Sequence, residues 1–384
     1  MRKICIVITA RPSYSRIKTA LQAIKRHRDL KLQIVLAGSA LLEKYGKVSK
    51  IIENDGFEID EKIYNVIEGE FPTVMAKTTG IAITELATTF YNLKPDIVVT
   101  IADRFETIAT SIAASYQNIP LAHIQGGEVT GNIDEKVRHA NTKLADIHIV
   151  ASEDAKNRII KMGEDPNFVF NTGCPSIDLA KDVLDNPTLD FDPIKKYGGV
   201  GSEINFKDGY LVVMQHPVTT EYEKAKEQVK ETLNAIYELN IPTFWFWPNV
   251  DAGSDGTSKG IREFREKSNP KNIRFMKNMK PNDFLKLIYN SKCLVGNSSV
   301  GIRESSFLGI PVVNIGNRQD GRIRGKNVID VKEYDKDKIK EEILKQLKHG
   351  KYNSEHIYGN GEAGKKIAEV FASCQLRFYK KITY

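Results

Sequence analysis

The sequence predicts an α/β chain built from two doubly wound, Rossmann-like domains in tandem, and three observations lead there. Short apolar runs rich in valine and isoleucine alternate with amphipathic stretches of helical length, the pattern of parallel strands covered on both faces by helices. That rhythm breaks at "DNPTLDFDPIKKYGGVGSEINFKDG", dense in Pro, Gly and Asp, and then resumes, so the stretch reads as a linker. A chain of 384 residues also exceeds the length at which a single hydrophobic core stops growing.

In chain order, the strands of the first half are expected at "KICIVIT", "LQIVLAG", "DIVVTIA", "IPLAHIQ", "DIHIVAS" and "NFVFNTG". Those of the second half are "YLVVMQH", "PTFWFWPN", "NIRFMKN", "KCLVGNS" and "IPVVNIG". The expected domains are 1–180 and 181–365, and a C-terminal helix, 366–384, packs back on one of them through Ile367, Val370, Phe371 and Leu376. Trp245, Phe246 and Trp247 read as core and edge packing. The stretch "FPTVMAKTTGIAITELATTF" suits either a core helix or an interface between copies of the chain.

Composition narrows the function classes. Fifty-six Lys and Arg against 49 Asp and Glu give +7, but the basic residues are scattered among acids and form no stripe, so an anionic small ligand fits better than nucleic acid. Four cysteines, Cys5, Cys174, Cys293 and Cys374, show no CxxC spacing and read as free thiols of a cytoplasmic protein. No apolar run reaches the roughly 18 residues of a membrane span, so no membrane partner is expected. Neither a Walker A motif nor GxGxxG occurs.

In open parallel sheets, ligands bind beyond the carboxyl ends of the strands. "TARPSYS" puts Arg11 before a helix expected to begin near Ser13 or Tyr14, which suits either an anion site or a plain serine cap. Asp103 and Arg104 follow "DIVVTIA" as an acid and a base, catalytic or a structural ion pair. "MQHPVTTE" places His216 at a strand end, and "WFWPNVDAGSDG" does the same for Asn249 and Asp251. In "LVGNSSVGIRESSFLGIPVVNIG" a strand ends at Gly296. Ser298 and Ser299 then open a helix that carries Glu304 one to two turns in: a diphosphate cradle with a carboxylate for a ribose diol, or an ordinary serine cap. Arg318, Arg322 and Arg324 stand at the mouth and match phosphate charge. Two such domains, the C-terminal one holding a nucleotide, make the B-type glycosyltransferase fold, in which the domains face each other across a cleft that is the active site.

In "HIQGGEVTGNIDEKVRHA", His123 ends a strand and His139 lies on a helix, without the spacing of metal ligands; no metal is expected. Asn132 reads as an N-cap that puts Asp134 and Glu135 in the first helical turn, where the dipole favours ionised acids.

The motifs "TARPSYS", "KPDIVVTIADRFET", "HIQGGEVTGNIDEKVRHANTKLAD", "QHPVTTE", "PNVDAG", "GNSSVGIRE" and "NRQDGR", in this order over about residues 3–365, resemble the hydrolysing UDP-N-acetylglucosamine 2-epimerases of sialic acid synthesis. The likeness extends to the epimerase half of the animal bifunctional epimerase/kinase; the kinase half is absent. The resemblance implies conversion of UDP-N-acetylglucosamine to UDP and N-acetylmannosamine through a 2-acetamidoglucal, without a cofactor, by a homodimer or homotetramer. It further implies Arg11 and Ser15 near the diphosphate, Asp103 and Asp134 as catalytic acids or bases, and Arg104 at the nucleotide. His216, Asn249, Ser298, Ser299 and Glu304 would bind UDP, with Arg318 and Arg322 in the following loop. Glu128 is a further candidate base, with His123 and Arg138 in support.

Three sugar-side positions depart from the family pattern. Gln125 stands where many members have a catalytic glutamate, and an amide does not exchange a proton at useful pH. Ser13 stands where an acid is frequent and Ala40 where a histidine is common. These departures keep a 4,6-modified substrate, UDP-N,N'-diacetylbacillosamine, as the alternative, with a nonhydrolysing epimerase, a UDP-sugar glycosyltransferase or a nucleotide-sugar sensor behind it.

Overall fold

A computed structural model of the chain describes residues 1–42, 48–68, 72–129, 133–248 and 254–383, with the side chains of Pro72, Ile133, Asp134 and Thr219 outside the description. The chain divides into two compact units. One comprises 1–129, 133–178 and 358–384, the other essentially 179–357. The helix expected to pack back therefore belongs to the first unit, which the chain re-enters at Tyr358.

The first unit holds seven strands: β1 (Arg2–Ile8), β2 (Leu30–Leu36), β3 (Glu61–Lys62), β4 (Ile97–Ile101), β5 (Leu121–Ile124), β6 (Ile147–Val150) and β7 (Val169–Asn171). All pair in parallel in the order β3-β2-β1-β4-β5-β6-β7. Its helices are α1 (Arg11–Arg26), α2 (Val48–Asn54), α3 (Pro72–Leu93), α4 (Thr107–Tyr116), α5 (Ile133–Leu144), α6 (Glu153–Lys161) and the start of α7 (Pro175–Asp185). Side chains of β1 alternate between two cores. Ile4, Ile6 and Ile8 join Ile17, Leu21 and Ile24 of α1, whereas Cys5 and Val7 join Leu86 and Phe90 of α3. Helix α3 is thus core on one face, while Met75, Ile81 and Tyr91 remain exposed on it.

The second unit contains α8 (Pro193–Tyr197), β8 (Val200–Gly201), β9 (Leu211–Met214), α9 (Ala225–Leu239), β10 (Thr243–Phe246), α10 (Ser254–Ser268), β11 (Ile273–Met276), α11 (Pro281–Tyr289), β12 (Cys293–Gly296), α12 (Ser299–Ile302), α13 (Glu304–Leu308), β13 (Val312–Ile315), β14 (Val328–Val331) and α14 (Lys336–His349). The sheet order is β14-β13-β12-β9-β10-β11-β8, parallel except for β8, which pairs antiparallel with β11. Trp245 is completely buried in this core and Trp247 packs at its border, as the apolar run predicts. Helix α15 (Ala363–Ser373) then places Ile367, Ala368 and Phe371 in the α1 core of the first unit.

In each sheet the strand order reverses beside the first long strand, between β1 and β4 and between β9 and β12. A crevice opens at the carboxyl ends of such strand pairs. Asp103 and Arg104 follow β4, and Arg11 follows β1 by three residues; His216 follows β9, and Ser298 follows β12. Topology alone therefore brings Arg11, Asp103 and Arg104 to one point in the first unit, and His216 and Ser298 to one point in the second.

Close approach at the second reversal requires glycine. Gly296 has φ +131°, and a Cβ there would stand 2.2 Å from the Met214 carbonyl oxygen on β9. Gly296→Ala is expected to lower the stability of the second unit by about 3 kcal/mol or more, because a main-chain oxygen must move and the backbone is strained; urea unfolding followed by tryptophan fluorescence, both tryptophans lying in that unit, measures it.

Candidate active site

At and beside the first reversal, β4 and β5 are each followed by a non-glycine residue in the left-handed region: Ala102 at φ 59° and Gln125 at φ 65°. Each still donates its N–H to the neighbouring strand, Ala102 to Ile124 and Gln125 to Ile149, both at 2.8 Å. Such conformations cost roughly 1–2 kcal/mol apiece and persist only where the surroundings impose them.

His123 imposes the first. Its ring is fully buried, with Nε2 2.8 Å from the Ala102 carbonyl and Nδ1 3.1 Å from the Thr142 hydroxyl on α5. A carbonyl only accepts, so Nε2 carries the proton and the threonine hydroxyl donates to Nδ1. Burial holds this imidazole neutral, with its pKa lowered to about 3 despite the Ala102 hydrogen bond. Both nitrogens are committed and no ring surface is exposed, so the His123 side chain, a candidate support of the site, joins the end of β4 to α5.

Asp103 is gripped by Arg138 of α5, whose guanidinium is 1% exposed and donates also to the Glu128 carbonyl at 2.8 Å. Arg138 therefore ties β4, the loop after β5 and α5 together. Glu128 lies nearly buried beside it. Arg104 donates through Nε to Glu106 at 2.7 Å, and Glu106 is buried. Asp134 lies on the first turn of α5 by its backbone; its side chain, and Asn132, Asn249 and Asp251, fall outside the described residues.

Gln125 is buried and doubly held. Its Oε1 accepts from Arg16 Nη1 at 3.2 Å, and its Nε2 donates to Cys174 Sγ at 3.1 Å, which in turn meets the Ser176 hydroxyl at 3.0 Å. The sequence reading does not single out Arg16 and takes Cys174 only as one of four free thiols. Arg16 is five residues past Arg11 on α1, and Cys174 is some fifty residues from Gln125, so only Arg16 carried a signal, its place in the helix that follows β1.

Helix α1 begins at Arg11 rather than near Ser13, because Pro12 presets the first-turn φ and Ala10 serves as N-cap without a side-chain bond. Ser13 is inside the helix and buried, Ala40 is buried in the 3-10 turn that follows β2, and Arg11 and Ser15 are half-buried on the first turns.

At the second reversal, Asn297 is the residue the sequence reading missed. It is fully buried; its Oδ1 accepts from the His216 N–H at 2.7 Å and its Nδ2 donates to the His216 carbonyl at 2.8 Å. Its own carbonyl accepts from Arg318 Nη1 at 3.2 Å and Gln319 Nε2 at 2.9 Å. An asparagine directly after a strand-ending glycine was the available signal. The buried His216 ring is held neutral, lowered to about 3 by burial and by the Arg318 charge.

Ser298 and Ser299 open a helix as expected, but the Ser298 side chain makes no cap bond. That helix does not run on to Glu304. It breaks at Arg303 (φ −93°, ψ −71°), and Glu304 begins α13. The Glu304 Oε2 is buried without a hydrogen-bond partner among the described residues. Arg318 and Arg322 are both half-buried in the loop after β13. Arg324, expected at the mouth, is instead spent on Asp330 at 3.0 Å and on the carbonyls of Gln319 and Arg322.

All four cysteines are buried and free. Among the described residues no group of His, Cys, Asp and Glu is placed to hold a metal ion, and no helix is long and apolar enough to cross a membrane.

The comparisons with known proteins agree on family. A family model described as UDP-N-acetylglucosamine 2-epimerase matches residues 22–372. The chain is 31% identical to the UDP-N,N'-diacetylbacillosamine 2-epimerase (hydrolyzing) of Legionella pneumophila, over 98% of this chain and 97% of that one. It is 33% identical to the polysialic acid biosynthesis protein P7 of Escherichia coli, over 86% and 83%. In fold it is similar to the crystal structure of the Neisseria meningitidis UDP-GlcNAc 2-epimerase bound to UDP-GlcNAc, with a TM-score of 0.78, 20% identity and coverage of 96% and 99%.

The two neutral histidines set a pH dependence. Folded, each stays unprotonated down to about pH 3; unfolded, each takes up a proton below about 6.5. The unfolded state binds more protons in between, so this stability is complete above 6.5 and is lost as pH falls. Between about pH 7.5 and about pH 5.5 each histidine is expected to cost its unit about 1.4 kcal/mol, measured by urea unfolding, and His216→Gln should remove the share of the second unit.

Proposed function

The chain belongs to the UDP-N-acetylglucosamine 2-epimerase family and is a UDP-sugar 2-epimerase, and from that premise we propose that it works by the hydrolysing route. UDP-N-acetylglucosamine and water give UDP and N-acetylmannosamine. A base takes the proton from C2 while the C1–O bond breaks and UDP departs with the electron pair, leaving a 2-acetamidoglucal. A water oxygen then adds to C1, and a proton returns to C2 from the opposite face.

The observation that carries this reading is Asp103, partly exposed beyond β4 at the strand reversal, with the fixed charge of Arg138 on its carboxylate. In this reading Asp103 and Asp134 exchange the C2 protons, one from each face, with Glu128 beside them. Gln125 has no acid function; its amide orients Arg16. Arg11, Ser15 and Arg104 stand toward the diphosphate on the sugar side. His216, Asn249, Ser298, Ser299, Glu304, Arg318 and Arg322 hold UDP, with the partnerless Glu304 oxygen suited to a ribose hydroxyl and the neutral His216 to hydrogen bonding.

UDP-N,N'-diacetylbacillosamine is the second substrate reading. The 31% identity to the Legionella enzyme over nearly the whole chain favours it, as does the departure of Gln125, Ser13 and Ala40 from the sugar-side pattern. The relationship to the Escherichia coli polysialic acid protein supports N-acetylglucosamine and a place in sialic acid-type synthesis. We also propose a homodimer or homotetramer as the working form.

Proton NMR of UDP-N-acetylglucosamine turned over in deuterated water is expected to show UDP and N-acetylmannosamine deuterated at C2. UDP-N-acetylmannosamine would signal the nonhydrolysing reaction, and an unchanged sugar nucleotide would direct the assay to UDP-N,N'-diacetylbacillosamine. Asp103→Asn is expected to lower turnover about 10²–10⁴-fold with UDP affinity unchanged, the range of a lost general acid or base. Gln125→Glu should stay within about tenfold of wild type; a larger rise would show that position to limit proton transfer.

A further inference from the structure

Beyond α15 the chain runs on through residues 374–383 along the amino-terminal edge of the first sheet, away from the strand ends that carry Asp103 and Gln125. Arg377 donates to the Asp165 carboxylate at 3.3 Å and the Asp146 carbonyl at 3.2 Å, and its guanidinium lies 3.6 Å from the Phe168 ring centre. Thr383 donates its N–H to Gly163 at 3.0 Å. Between these anchors the Lys380 ammonium turns inward. It donates to the Ala145 carbonyl at 2.8 Å, to the Thr142 carbonyl at 3.3 Å and to Glu164 Oε2 at 2.7 Å.

Thr142 and Ala145 bracket the last turn of α5, so Lys380 places a positive charge where the helix dipole is negative and satisfies carbonyls that have no partner within the helix. Glu164 is 1% exposed and also accepts from Lys143 at 2.5 Å and His148 Nε2 at 3.1 Å. Burial alone would raise its pKa, but these three hydrogen bonds outweigh it and hold the carboxyl at about 2. His148, fully buried on β6, is the register partner of His123 on β5.

Helix α5 is thus held at its middle and at its last turn. At the middle, Arg138 grips Asp103; in the last turn, Thr142 gives its hydroxyl to His123 and its carbonyl to Lys380. We infer that Lys380 is a positioning residue: the C-terminal tail pins the last turn of α5 and through it fixes Arg138, His123 and the Asp103 carboxylate. This rests on the reading of Asp103 as the proton-transfer group.

Helix α5 has other supports. Asn141 meets Ser111 at 2.7 Å and Thr107 at 2.8 Å on α4. Removing Lys380 therefore loosens the register of α5 rather than unfolding the unit.

The test uses full-length Lys380→Met and Lys380→Arg. In Lys380→Met, kcat should fall about tenfold or more while KM for UDP-N-acetylglucosamine stays within about twofold, and amides of α5 should exchange with deuterium about tenfold faster than in wild type, those of α1 and α4 unchanged. Lys380→Arg, which keeps charge and donors, should recover most of both. Wild-type kcat in Lys380→Met, unchanged α5 protection, or a loss of protection spread evenly over the first unit would each overturn the inference. If the wild-type protein turns over neither UDP-N-acetylglucosamine nor UDP-N,N'-diacetylbacillosamine, the functional reading has failed, and α5 protection in the two variants then decides the role of the tail.

Discussion

A guanidinium sealed inside the first unit is the constraint on which its strand-end chemistry rests. Arg138 cannot shed its charge, and at 1% exposure it has left water almost entirely. Such a group is tolerable only where charge and hydrogen bonds meet it, and removing a partner would strand it. The Asp103 carboxylate and the Glu128 carbonyl meet it here. One side chain of α5 consequently fixes the end of β4 and the loop that follows β5, and a helix displacement of a fraction of an ångström would be felt at the carboxylate. The left-handed turn at Ala102 belongs to the same assembly, because the neutral His123 ring holds its carbonyl and leans on α5 through Thr142. Strain at the strand end is thereby maintained by groups that lie behind the reacting face rather than on it.

The second unit places a neutral side chain, Asn297, at the corresponding point. Asn297 has two acceptors and two donors to offer and satisfies the main chain of His216 on both sides while its carbonyl receives Arg318 and Gln319. Three loops converge on Asn297, whose side chain is neutral, with the half-buried Arg318 reaching its carbonyl. Gly296 permits the approach, since any side chain would collide with β9. The first unit thus sets a charged pair beyond β4, and the second a neutral amide at its reversal with Arg318 on its carbonyl.

Much of this was legible in the sequence because parallel sheets obey a strong rule. Apolar runs locate the strands, strand ends locate ligands, and Asp103, His216 and Ser298 fall at reversals of strand order for that reason. The start of α1 was missed because a proline in the first turn competes with serine as the boundary signal, and Arg11, not Ser13, opens it. The break at Arg303 was invisible because the residues on both sides are compatible with one continuous helix. Arg324 looked like a phosphate ligand, since an exposed arginine and one committed to Asp330 read alike until the fold brings the aspartate in. Asn297, Arg16 and Cys174 acquire their roles from contacts across many residues, which no local pattern encodes.

Gln125 is where local and distant constraints meet. Its amide has an acceptor turned to Arg16 and a donor turned to Cys174, and it fits both neighbours at once. A carboxylate would bind Arg16 more strongly but would accept on both sides, so Cys174 would have to donate its S–H to it, leaving the Ser176 hydroxyl as the donor in their mutual contact. The choice of amide is therefore coupled to the thiol, and residue 125 cannot be assessed alone. A buried amide with both ends engaged is a fixed dipole that aims an arginine. It leaves the proposed proton transfer to carboxylates such as Asp103, partly exposed and held in place by its own counter-charge.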